Sequence, residues 1–164
     1  MNIIASRLID NLGLREHPEG GFFTETYRSN IEVELKDRDG SRALCTSIYY
    51  LLSENQFSAF HIMKSDEVWH FYSGSSLTLH VIGTEGKLKQ VQLGNNIEKE
   101  AFQAVVKSGS WLAASVNDSS FYSLVGCTLS PGFNILDWNL GDRPQLTKMY
   151  PQHKELIKKF TRPC

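Results

Sequence analysis

The sequence predicts an all-β sandwich or barrel with short helices at either end, and three observations carry that prediction. Residues 22–28, 44–52, 57–63, 68–72, 77–82, 88–93, 101–106, 111–116 and 121–129 are rich in aromatic and β-branched side chains. Such residues suit a pleated, half-buried surface, and runs of about five to nine of them read as strands. Gly, Ser, Asn or Asp separates the runs, as in Ser73-Gly74-Ser75-Ser76 and Gly83-Thr84-Glu85-Gly86, and supplies the turn chemistry. No helical pattern falls between the strands, which argues against a parallel α/β sheet with crossover helices.

The remaining elements follow in order. Residues 6–14 form an amphipathic pattern, with Leu8, Ile9 and Leu12 at helical spacing, Ser6 as the expected cap and Gly13 at the exit. His17-Pro18-Glu19-Gly20-Gly21 is a loop, because proline and paired glycines break regular structure. The glycine pair serves backbone geometry in one reading. In the other the loop crosses a barrel mouth, with Arg28, beside Tyr27, binding an anionic group. Helical turns are expected over 142–150 and 151–160, where Pro151 sits at a helix start and costs no hydrogen bond. Asp137, Asp142 and Arg143 read as caps and ion pairs around these turns. No repeat, low-complexity tract or linker interrupts the chain, so residues 1–164 are read as one domain with its core over about 17–140.

Composition narrows the function. The chain has 164 residues, 41% hydrophobic and 21% charged, with a net charge of −1. That balance creates no field for nucleic acid or for an anionic membrane surface. Lys154, Lys158 and Lys159 alternate with Glu155 and apolar residues, as on the wet face of a helix. The segment from Met1 to Arg7 shows no basic stretch followed by an apolar one, and no apolar run approaches the roughly 20 residues of a membrane span. Cys45, Cys127 and Cys164 are widely spaced and odd in number, which suits a reducing cytoplasm. Cys45 and Cys127 are expected in the core and Cys164 at the surface. Phosphate-binding loops, zinc C-x-x-C pairs and G-x-S-x-G turns are absent from the sequence.

The segment from Phe60 to Gly74 carries the chemistry. A strand ends with His61, a polar turn containing Lys64 follows, and a second strand opens with Glu67. Such a hairpin makes His61 and Glu67 neighbours, a workable geometry for two metal ligands or an acid–base pair. Strand alternation sends Glu67, Trp69 and Phe71 to one face and Val68, His70 and Tyr72 to the other. Only a bulge would bring His70 to Glu67. Trp111 reads equally as core or as a pocket wall.

These residues resemble the first motif of the cupin superfamily: G, five residues, H-x-H, three or four residues, E, six residues, G. His61, Glu67 and Gly74 fill it, and Met63 stands at the second His. The second motif falls on residues 107–112, where Gly109 matches, Lys107 replaces the usual Pro and Leu112 replaces the usual His. His17 to Gly21, Glu25 to Ser29, Thr46 to Leu52, Pro131 to Phe133 and Leu140 to Asp142 further resemble one branch of small cupins. The resemblance implies a double-stranded β-helix, that is, a jelly-roll barrel, and a homodimer. It also implies that two of the four usual metal-ligand positions are filled by Met63 and Leu112. No tightly held cofactor is therefore expected, while a weakly held divalent metal at His61 and Glu67 stays open.

Three functional readings follow. The first is a small-molecule pocket, for a sugar-derived or other organic ligand, lined by Tyr49, His61, Glu67, Trp69 and Trp111. His70, Arg28 and Tyr72 are further binding candidates. The second is a metal-free isomerase or epimerase of a keto-sugar, with His61 as base, Glu67 stabilising its imidazolium and Tyr49 or Tyr72 as acid. The third is a metal-dependent enzyme using His61, Glu67 and His70. A barrel packed solid would instead favour a storage or structural role.

Overall fold

The N-terminal helix begins earlier than its periodicity suggests. In the computed structural model, which describes residues 2–162, α1 runs Ile3–Leu12. Asn2, not Ser6, is the cap: its side chain accepts the Ile4 N–H at 2.9 Å. Ser6 lies inside the helix, where its hydroxyl reaches back toward the Asn2 carbonyl. Both are good capping types, and the earlier start adds a turn that carries Ala5, which packs with Leu51 and Tyr122. Gly13 ends the helix at φ 62, a left-handed conformation that glycine adopts without strain. Cys164 lies outside the described residues.

The strands are β1 (Arg15–Glu16), β2 (Phe22–Arg28), β3 (Glu32–Glu34), β4 (Ser41–Ala43), β5 (Thr46–Leu52), β6 (Phe57–Met63) and β7 (Asp66–Gly74). They continue with β8 (Leu77–Ile82), β9 (Leu88–Leu93), β10 (Gln103–Val106), β11 (Trp111–Val116), β12 (Ser123–Ser130) and β13 (Trp138–Leu140). One sheet has the order β1-β2-β5-β12-β7-β10, the second β13-β6-β11-β8-β9, and β3-β4 form a separate pair. The order in both large sheets interleaves distant strands, and the named strands pair antiparallel throughout. The β6–β7 hairpin straddles the two sheets, so its turn joins one wall of the barrel to the other.

The inward faces meet in a core that draws Tyr50, Trp69, Val125 and Cys127 from the first sheet and Leu77, Leu79, Leu112 and Ala114 from the second. Two further cores lie on the outward faces. Helix α1 packs with Leu14 against Leu51, Tyr122 and Leu124. At the other side, α2 (Arg143–Met149) and α3 (Lys154–Lys159) cover Phe60, Ile82, Trp111 and Ala113 with Leu146, Ile157 and Phe160. These last three are at most 2% exposed. Each contributes about 1.5–3 kcal/mol of apolar burial, which holds in place helices too short to persist alone. Asp142 caps α2 by accepting the Gln145 N–H, and Arg143 donates to Thr161 Oγ1. Asp137 is a buried anchor: both its oxygens accept from Arg42, and one also from Arg38. Among the described residues no helix is long and apolar enough to cross a membrane.

Candidate functional site

The barrel is not packed solid. Between the sheets lies a cavity of about 210 Å³. Alternation along each strand decides what faces it: Thr46, Ile48 and Tyr50 from β5, His61 and Met63 from β6, Glu67 and Trp69 from β7, and Cys127 and Leu129 from β12. The loop of residues 17–19 closes one side, and Phe133, Ile135 and Trp138 close another.

The glycine pair explains how Glu19 enters the barrel. Gly20 has φ 115 and Gly21 φ 72. A Cβ on Gly20 would fall 2.3 Å from the Phe57 carbonyl oxygen, and one on Gly21 2.5 Å from that of Leu51. Only glycine lets the loop press this closely on β5 and β6. The loop is then tied down from three sides. Tyr50 donates its hydroxyl to the Gly20 carbonyl at 2.6 Å, the Ala59 N–H donates to the Glu19 carbonyl at 2.9 Å, and Arg162 donates to the same oxygen at 3.2 Å. Backbone geometry and closure of the barrel, separate readings of the sequence, are one device in the structure.

His61 sits between two carboxylates. Its Nδ1 donates to the Ala59 carbonyl at 2.9 Å and lies 3.3 Å from Glu19 Oε2, while Nε2 lies 3.7 Å from Glu67 Oε1. His61, Glu67 and Glu19 are 2%, 6% and 7% exposed, so solvent screens their interaction little. Burial alone would push the imidazole toward its neutral form. The charge of Glu19, the proximity of Glu67 and the Ala59 carbonyl outweigh it and raise the pKa to about 9. His61 is thus an imidazolium at neutral pH. Glu19 is itself held, accepting from Ser58 Oγ at 2.9 Å and Trp138 Nε1 at 2.7 Å. Glu67 Oε2 accepts from Trp69 Nε1 at 3.2 Å. His17, on the same cavity, is shifted the other way, chiefly by burial, and its Nδ1 accepts the Glu19 N–H.

Of the residues singled out from sequence, the fold brings His61, Glu67 and Trp69 together at the cavity. Five others lie elsewhere. Tyr49 points to the opposite face of β5, against the α1 core, and meets Tyr72 edge to face at 5.8 Å. Tyr72 is half exposed on that outer face. His70 shares the outer face, with Thr128 Oγ1 at 3.2 Å from its Nε2 and Gln103 donating to its Nδ1 at 2.9 Å. No bulge turns it inward, since Gln103 and Gly126 pair with it in regular register. Trp111 faces the C-terminal helices. Arg28 lies at the rim and is committed: both its Nε and one terminal nitrogen donate to Glu25, and the other to the Phe133 carbonyl. Among the cavity residues that sequence reasoning did not single out are Glu19, Tyr50 and Trp138. For Tyr50 the signal was one residue away, in the alternation of β5.

Two interleaved antiparallel sheets around a pocket, with a His–Glu pair on the hairpin that joins them, define a double-stranded β-helix of the cupin type. The chain belongs to the Cupin superfamily (DUF985), whose family model matches residues 6–141. A protein of Shewanella oneidensis solved by X-ray crystallography is similar at 39% identity, with a TM-score of 0.90 over 98% of each chain. A hypothetical protein from Leishmania major is 32% identical, with a TM-score of 0.90 over 97% of this chain and 99% of its own. An uncharacterised protein of Saccharomyces cerevisiae is 28% identical over 145 residues, 80% of this chain and 72% of its own. Oxalate decarboxylase from Bacillus subtilis shares the fold alone, at 11% identity and a TM-score of 0.56 over 88% of this chain and 36% of its own.

The cupin fold implies a metal, and the residues present do not fit one. Met63, a thioether, lines the cavity where an imidazole would stand. Leu112 pairs in register with His61 and offers no donor at all. Both Glu19 oxygens are already acceptors. Among the described residues no group of three or more His, Cys, Asp or Glu is arranged to hold an ion. Two donors fall short of the three protein ligands of a usual catalytic centre.

Proposed function

We propose that the protein is a small-molecule-binding cupin whose ligand occupies the barrel cavity and docks on His61 and Glu67 without a tightly held metal. One observation carries this reading: a buried donor, His61 Nε2, and a buried acceptor, Glu67 Oε1, stand 3.7 Å apart on the wall of a mostly apolar cavity. A ligand needs few polar groups to be oriented in a mostly apolar pocket. At about 210 Å³ the cavity suits a small metabolite, the volume of about seven waters. Four of its ionisable groups, His17, Glu19, His61 and Glu67, lie together, which favours an apolar body with one polar end over a sugar bearing hydroxyls all round.

The isomerase reading keeps the pair but reverses its roles. A charged His61 donates a proton and Glu67 accepts one, while Tyr49 and Tyr72 face away from the cavity. Free Cys45 and Cys127 support a reducing, cytoplasmic setting. Phe102 and Val105, each 55% exposed beside or on edge strand β10, support a homodimer; a monomeric mass at micromolar concentration would remove that part of the proposal.

A metabolite screen by thermal shift tests the binding reading. Compounds that raise the melting temperature of the wild-type protein are expected to bind His61→Gln with an affinity changed by at least about tenfold, because the variant replaces a charged ring on the cavity wall with a neutral amide. A screen without hits, or binding indifferent to that substitution, would sink it.

A further inference from the structure

Acidic side chains outnumber basic ones on the cavity wall. Glu19 and Glu67 both reach it, and His61 is the one imidazolium between them. Among the described residues no lysine or arginine lines it. The nearest guanidinium groups are spent elsewhere: Arg28 on Glu25 at the rim, and Arg162 on the Glu19 carbonyl and the Phe57 ring. His17 supplies no second cation, because its Nδ1 accepts the Glu19 N–H and so carries no proton. Such a wall favours a guest that brings positive charge.

The walls are suited to a cation. Phe23, Tyr50, Trp69 and Trp138 all line the cavity, and aromatic faces attract a positive charge through their quadrupole. Glu67 Oε1 is the acceptor still to be filled: Oε2 takes the Trp69 indole N–H, and the His61 nitrogen stands 3.7 Å off, beyond hydrogen-bond reach. An anion would meet two carboxylates.

We propose that the cavity takes a small organic cation, an amine or quaternary ammonium with an apolar body, its charge set against Glu67 and among the aromatic rings. The inference rests on the cavity being the binding site and adds the sign of the ligand's charge. Three probes of nearly one shape and different charge test it: tert-butylammonium, tert-butanol and pivalate. The indole N–H signals of Trp69, Trp138 and Trp111 in a nitrogen-edited NMR titration report where each binds, since Trp111 faces the C-terminal helices and serves as the control.

tert-Butylammonium is expected to shift Trp69 and Trp138 but not Trp111, with affinity at least about tenfold above that of tert-butanol. Pivalate is expected not to bind. In Glu67→Gln the preference for the cation over the alcohol collapses, while an unmoved Trp111 signal verifies the fold. Equal or tighter binding of tert-butanol or pivalate at the same tryptophans overturns the cation and leaves the cavity reading standing. A preference unchanged in Glu67→Gln also overturns it. If none of the three binds, both inferences fall together.

Discussion

Two buried histidines of this barrel are driven in opposite directions. His61 lies inside, between Glu19 and Glu67, and its pKa rises to about 9. His80 lies on the outward face of the second sheet, under the C-terminal helix, and its pKa falls to about 4. Their exposures, 2% and 6%, barely differ. Their neighbours do. His80 stacks on Phe160 at 4.6 Å, and its other contacts are neutral: Ser115 Oγ at 3.0 Å from Nε2, and Gln90 donating to Nδ1 at 2.9 Å. Burial and then the charge of Lys159 both favour the neutral ring there. Depth alone therefore does not set the charge of a histidine. The charged groups gathered around it do.

The sharpest way to break the comparison is to remove the charge that makes His61 different. His61→Leu leaves Glu19 and Glu67 buried without their imidazolium. We expect a loss of about 3–5 kcal/mol in chemical denaturation, the cost of stranding one side of a buried ion pair. A change below about 1 kcal/mol would mean that the carboxylates are protonated or solvated, and the contrast with His80 would lose its electrostatic basis.

Next in size is the alkaline limb of the stability curve. The folded pKa of His61 lies above its ordinary 6.5, so its contribution is complete below about pH 6.5 and is lost as pH rises through about 9. The loss from this group over that window is roughly 3 kcal/mol. In Glu19→Gln the His61 ring signal should titrate at lower pH and the alkaline limb should flatten, both readable by NMR titration and denaturation at stepped pH. A titration point that does not move would shift the credit from Glu19 to Glu67 and the Ala59 carbonyl.

The contrast was only partly legible in the sequence, for reasons that lie in the strands themselves. His61 and Glu67 could be paired because a single hairpin holds both, and Trp69 followed from Glu67 by alternation. On β5 alternation failed to tell Tyr49 from Tyr50. That strand is covered on both faces, by the barrel core and by α1, so apolar residues run through it without marking which side is inward. The same holds for Trp111 on β11, one face of which meets the second core. Strands β3 and β4 were missed because Glu32, Glu34 and Arg42 lack the apolar signature of a buried strand. Glu19 was visible only as part of a glycine-rich loop. Its role depends on two close approaches, at the Phe57 and Leu51 carbonyls, that link residues far apart in the chain.

The smallest effect belongs to His80. Its folded pKa is depressed, so its contribution is present above about pH 6.5 and is lost as pH falls toward about 4, where the folded state also takes up the proton. Between neutrality and about pH 5 this group should cost the wild-type protein at most about 2 kcal/mol. His80→Leu keeps an apolar partner for Phe160 and removes the titration, so the acid limb should flatten while stability at neutral pH changes little. His17, also lowered by burial, leaves a residual slope of the same sign. An acid limb unchanged in the variant would assign the loss to His17 and to Asp137. The low pKa of Asp137, set first by its hydrogen bonds from Arg42, predicts a further loss at still lower pH. The two limbs together separate the histidines: one variant should lose the alkaline slope, the other the acid slope, and neither should alter both.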